Sequence, residues 1–253
     1  MTHDMTASTG RPRAGDGDYT FWREHTHINL TPVAAPSILG LFGFAVSTFM
    51  VAANLAGWYG NLATPLILAP LAFAFGGVAQ TLAAMWSYRA RDALASAVHG
   101  AWGSFWIAYG IYMLFVGLGG LPSPVTSRAA AVAFGFWFIG LAAVTWTATF
   151  AAAVENVALT LVLLTLAVGS TLLAIGLTAA VGIVLLLGAY FLIASAVIAW
   201  YTGSAMVLET TYQRTILPMG GRRRREPPAR PAGRAPRVPI QFEMGEPGVK
   251  VGQ

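Results

Sequence analysis

His99, Glu155, Asn54 and Gln80 are the side chains in the middle of this sequence best able to move a proton or hold a polar solute. They stand almost alone. No Asp, Glu, Lys or Arg occurs from His25 to Tyr88, and none from Asn156 to Leu208. A polar group surrounded by apolar sequence is costly unless it is paired or used. His99 could take up a proton, and could equally be a hydrogen-bonded histidine near an interface. Glu155 stands beside Asn156 and reads as a turn residue before it reads as a proton carrier. Asn54 and Gln80 are the candidates for lining a polar path, because an amide facing lipid loses its hydrogen bonds. The hydroxyls in the same stretches, among them Ser47, Thr48, Thr145, Ser170 and Ser195, are expected to bond helix to helix.

These groups do not add up to an enzyme. There is no Ser/His/Asp pattern, no pair of carboxylates at helical spacing and no phosphate loop. Cysteine is absent, which removes disulfides and thiolate metal sites. His3, His25 and His27 are the only set with metal-ligand chemistry, and their spacing is a weak signal. The reading is therefore no catalytic residue, no metal and no cofactor.

The elements that position His99, Asn54 and Gln80 follow from composition. Apolar residues make up 56% of the 253, and charged residues only 10%, against about 25% in a soluble domain. The uncharged stretches cannot form a soluble surface and mark an integral membrane protein. The expected fold is all-α and polytopic, with six transmembrane helices: Pro36 to Trp58, Pro65 to Tyr88, Leu94 to Leu118, Ala129 to Ala153, and two more between Val157 and Leu208. That last stretch would be about 78 Å long as one helix, against a hydrocarbon core of about 30 Å. A break is expected between Gly176 and Gly182. Residues 1–35 read as a polar tail with a short amphipathic piece, Tyr19 to His27. Residues 36–210 form the six-helix domain. Residues 211–253 form a basic Arg/Pro/Gly-rich tail without the composition for a core.

Charge sets the orientation. With six spans both termini share one side, and so does the turn carrying Arg89 and Arg91. Fourteen of the fifteen Lys and Arg residues then fall on that side, leaving only Arg128 opposite. The positive-inside rule makes it cytoplasmic, with both termini in the cytoplasm. The Arg222 to Arg225 run follows the last span closely. It is a topology signal first and a contact for anionic lipid second; nucleic acid is not an expected partner.

Several blocks in order resemble the acetate uptake transporter family, the YaaH-like acetate/succinate transporters. They are Phe42-Gly43-Phe44, Gly76-Gly77-Val78-Ala79-Gln80, Gly103-Ser104-Phe105-Trp106, Ala194-Ser195-Ala196 and Arg214-Thr215-Ile216-Leu217-Pro218. The family's opening Asn-Pro-Ala-Pro-Leu-Gly-Leu is reduced here to Ala35-Pro36-Ser37-Ile38-Leu39-Gly40-Leu41. The resemblance covers about residues 35–219. It implies a six-helix protomer in a homo-hexamer, with a path through each protomer and a hydrophobic constriction at the positions of Phe44, Trp102 and Leu166. Family members usually carry Tyr where this chain has Trp102. A Glu common before the aromatic-basic turn is Ser87 here, and the basic residue common after the fourth helix is replaced around Val154 and Glu155.

The function expected from residues and resemblance together is transport of a small monocarboxylate such as acetate, with succinate as a further substrate, coupled to protons across the cell membrane. No Lys or Arg lies within a span, so a crossing carboxylate meets no fixed cation; it is held by helix N-termini and by amide, hydroxyl or indole donors, or else crosses as the neutral acid, which favours a small substrate and coupling to protons. Two alternatives stand beside it. One is a passive channel for a small neutral solute such as ammonia, urea or an amide. The other is a non-transporting scaffold that works through its basic tail.

Overall fold

The computed structural model describes residues 33–61 and 63–221. The amphipathic piece, the three N-terminal histidines and the tail from Arg222 onward lie outside the described residues. Within them the chain is helical throughout, apart from one isolated bridge between Asn156 and Gly221. Six helices follow one another: α1 (Ser37–Leu55), α2 (Thr64–Arg89), α3 (Ala93–Gly117), α4 (Arg128–Ala152), α5 (Val157–Ala179) and α6 (Gly182–Tyr212). Among the described residues, all but α3 are long and apolar enough by length and composition to cross a membrane. α3 has 25 residues, but its tryptophans, tyrosines, glycines and His99 dilute its hydropathy. Those same residues are the ones it turns inward. This is a multi-pass membrane protein.

Each helix packs on the next in the chain, and α6 closes back on α1. The ring is tight because small residues meet across its seams. On α3, Gly103, Gly110 and Gly117 recur every seventh residue and face α2. A methyl group at Gly103 would stand 2.9 Å from the Thr81 backbone nitrogen, and one at Gly110 would stand 2.8 Å from the Ala69 carbonyl. Gly169 and Gly188 face each other's carbonyls in the same way across α5 and α6. Lipid offers no hydrophobic drive between helices, so this close approach and its dispersion contacts hold the ring. The α3–α4 seam is built differently, from stacked rings.

α2 is not a uniform α-helix. Pro70 lies inside it, and residues Ala72–Ala79 adopt the wider π-helical turn before α-helix resumes at Gln80. Proline has no N–H to donate, and its ring presses on the preceding turn. The widened turn contains Gly76 and Gly77 and lies between α1 and α3. Ser47 and Trp106 press on Gly76, and Ile107 presses on Gly77.

The ends are capped by side chains. Asp92, Ser127 and Asn156 each accept the backbone N–H three residues on, at 2.9, 3.4 and 2.8 Å, satisfying one of the orphan donors at the start of α3, α4 and α5. The break in the long apolar stretch falls where expected, but the left-handed residue is Ala180 (φ 58°) and not a glycine. The Arg128 guanidinium donates to the carbonyls of Leu177, at 2.6 Å, and of Thr178. It thereby neutralises the negative end of α5. Past α6, Gly220 and Met219 carbonyls accept the N–H groups of Val157 and Ala158. The exit segment thus lies over the start of α5.

The glycine seams make a direct prediction. Gly110→Ala should lower the thermal stability of the detergent-solubilised protein by about 1–3 kcal/mol through overpacking. Gly140→Ala, whose added methyl meets nothing within 4 Å, should leave the melting temperature unchanged or slightly raised.

Candidate functional site

Among the described residues, the inner faces of the ring line two cavities that share no residue. The first, of about 110 Å³, is lined by Ser37, Leu41 and Phe44 of α1, Gln80 of α2, His99 of α3, Leu166 of α5 and Thr202 and Met206 of α6; Asp92, Glu155 and Asn156 complete it from the turns. The second, of about 140 Å³, is lined by Thr48, Asn54, Leu68, Trp102, Phe105, Tyr109, Leu173 and Leu192, with Ser123 to Val125 at its loop end. Neither lining contains Lys or Arg. α1 serves both cavities through one face. Its residues 37, 41 and 44 face the first and 48, 51, 52 and 55 the second, a run of three- and four-residue steps, with Asn54 joining the second from the last turn.

Phe44, Trp102 and Leu166 fall at the division. Phe44 and Leu166 line the first cavity and Trp102 the second, and all three are buried, with exposures of 3, 1 and 2% for Phe44, Leu166 and Trp102. The Phe44 and Trp102 rings meet edge to face with centroids 6.1 Å apart. The π-helical part of α2 spans this level, since Leu68 before it lines the second cavity and Gln80 after it lines the first.

Trp102 is held from across the α3–α4 seam. Its indole Nε1 donates to Thr145 Oγ1 at 3.1 Å, and Thr145 donates in turn to the Leu141 carbonyl at 2.6 Å. A buried indole N–H needs such a partner. Phe105 packs behind it, with its ring centroid 5.0 to 5.8 Å from those of Trp102, Trp106, Tyr109, Trp137 and Phe138. One indole orientation is thereby fixed between the two cavities.

The polar candidates separate. Gln80 and His99 come together in the first cavity, with Gln80 Nε2 3.4 Å from His99 Nδ1. The His99 ring lies over Gly40, where any side chain would collide with it. Asn54 stands apart in the second cavity. Its Nδ2 donates to the Tyr59 carbonyl at 2.7 Å, so it holds the turn after α1. Gln80 Oε1 and Thr48 Oγ1 are buried without a hydrogen-bond partner, one in each cavity. Thr48 was hidden among the many helix-bonding hydroxyls; its place four residues after Phe44, on the same face of α1, was the available signal. Phe105 was legible only as one of a run of aromatics. Among the described residues no three His, Cys, Asp or Glu side chains gather as a metal site would require.

Thr145→Val should cost about 1–3 kcal/mol, because it leaves the buried indole N–H of Trp102 without an acceptor. Thr145→Ser, which keeps the oxygen, should recover most of the loss. Thermal unfolding of the three proteins in one detergent measures this.

Comparison with known proteins places the architecture. A solved structure of the bacterial acetate channel SatP superposes with a TM-score of 0.68, at 25% identity, over 75% of this chain and all of that one. Acetate permease A of Emericella nidulans is 28% identical over 211 residues, covering 76% of this chain and 70% of the permease. The succinate-acetate/proton symporter SatP of Escherichia coli is 26% identical over 190 residues, covering 75% of this chain and 97% of the symporter. The sequence pattern of the GPR1/FUN34/yaaH family matches residues 19–219, from ahead of α1 to beyond α6. With all six helices inside that match, the chain belongs to the GPR1/FUN34/yaaH family.

Proposed function

We propose that this chain carries acetate, and succinate as a further substrate, across the cell membrane together with protons. The observation that carries the reading is the pair of cavities stacked on either side of Phe44, Trp102 and Leu166. Each cavity is large enough for a few water-sized groups and is lined by residues with a buried polar atom that lacks a partner, Thr48 Oγ1 and Trp106 Nε1 in the second and Gln80 Oε1 in the first. The relatives named as an acetate permease and a succinate-acetate/proton symporter support the substrate and the coupling. The protein acts as a transporter and not as an enzyme.

The electrostatics favour coupling. A carboxylate in either cavity would meet no Lys or Arg, and in the first it would face Asp92 and Glu155. Bringing a bare anion there is costly; the protonated acid carries no such cost. In this reading six spans place both termini in the cytoplasm. The first cavity, near Arg89, Arg91 and Arg214, then opens inward, and the second opens outward. A homo-hexamer is the expected assembly. The uncharged belt favours a second reading too, passive conduction of a small neutral solute.

Purified protein in liposomes decides between them. Labelled acetate should accumulate under an inward proton gradient. Equilibration without accumulation would indicate a passive channel. Leu166→Ala opens the belt and should raise entry of longer monocarboxylates relative to acetate, about 10–100-fold at most, the discrimination available to a hydrophobic site. An unchanged preference would remove Leu166 from the constriction.

A further inference from the structure

We propose that His99 is the proton acceptor of the transport cycle and that Gln80 is the residue that positions it. The inference rests on the reading of proton-coupled carboxylate transport and assigns the group that takes the proton. His99 is buried, 5% exposed, on the wall of the first cavity just past the belt. It is one turn before Trp102 on α3. A solute that has passed Phe44 and Trp102 meets this imidazole and the Gln80 amide first.

The pair has two hydrogen-bonding states. With Gln80 Nε2 toward His99 Nδ1, at 3.4 Å, the ring nitrogen accepts and Gln80 Oε1 has no partner. With the amide turned over, Oε1 gains the donor it lacks, an Nδ1–H. That second arrangement places the ring proton on Nδ1 and leaves the lone pair of Nε2 for an incoming proton. The transfer is simple in its balance. The O–H bond of the carboxylic acid breaks, an Nε2–H bond forms, and a carboxylate anion and an imidazolium remain in the cavity. The imidazolium keeps its Nδ1–H on Gln80 Oε1. It then gives up the Nε2 proton to water at the cavity mouth.

The charged groups around the first cavity suit a cation. Asp92 from the α2–α3 turn and Glu155 from the α4–α5 turn line it. α1 brings Gly40, which makes room for the ring. The α5 and α6 residues lining it, including Leu159, Leu166, Thr202 and Met206, carry no ionisable group. The lining of the first cavity thus carries two carboxylates beside His99 and no basic side chain, with Arg91 next to both carboxylates just outside it. The second cavity has no ionisable group of this kind except Tyr109, so the proton acceptor lies on one side of the belt only.

The experiment compares the unmodified protein with His99→Phe, His99→Gln and Gln80→Leu in liposomes. Two quantities are read: labelled acetate accumulated under an inward proton gradient, and exchange of labelled for unlabelled acetate at equal pH on both sides. Both His99 variants should lose accumulation by about tenfold or more, the order expected on removing a positioned proton acceptor, while exchange persists. Gln80→Leu should move the pH profile of accumulation. Accumulation by His99→Phe equal to that of the unmodified protein would overturn the proposal. Loss of exchange and accumulation alike in both His99 variants would make the residue a packing element and overturn it too. A Gln80→Leu profile that superposes on the unmodified one would remove Gln80 from the positioning role. Failure of the unmodified protein to move acetate in either assay is a different result, since it sinks the transport reading itself.

Discussion

Glycine against backbone is the contact on which the structure depends. Along α3, three glycines at seven-residue spacing let the helix lie against α2 at distances a single methyl group would forbid. α5 and α6 repeat the device with Gly169, Gly176 and Gly188. In lipid, where burial of apolar surface drives nothing, such proximity supplies dispersion that larger side chains would hold off. It also sets the size of the interior. Among the described residues, helices drawn this close leave room in the ring for small cavities that are separated near Phe44 and Trp102. The α3–α4 seam is the exception, and there Phe105 and its ring of aromatics fill the wider gap.

The spans were legible because charge is so strictly excluded from them; the caps Asp92, Ser127 and Asn156 that set the starts of α3, α4 and α5 became visible only in the fold. The break before Gly182 was legible from length alone, but its left-handed residue was not. Ala180 adopts a conformation that glycine would take at lower cost. The π-helical stretch of α2 left no trace in hydropathy, which measures what a residue is and not how the turn around it is wound. Pro70 was its one visible cause.

The site was legible unevenly. Gln80 announced itself as an amide in an apolar run. Asn54 gave the same signal and proves to hold a turn as well as lining a cavity, because a sequence does not say where an amide's hydrogen bonds go. Phe44, Trp102 and Leu166 came from resemblance; by composition they are ordinary apolar residues. Thr145 illustrates the difficulty best. Thr147, Thr165, Thr171 and Thr178 also bond back to carbonyls of the preceding turn, and only the fold shows that Thr145 also receives the indole of Trp102.

The proposed belt of Phe44, Trp102 and Leu166 has an electrical consequence. Protons cross water by hopping along unbroken chains of hydrogen bonds, and ions cross with their hydration shells in place. Phe44 and Leu166 offer neither donor nor acceptor, and the single N–H of Trp102 is already committed to Thr145. A file of water molecules entering from either cavity would end at that level. A constriction at that level would let the protein sit in an energised membrane without short-circuiting it, since charge that crossed would have to be neutralised on a solute fitting between the rings.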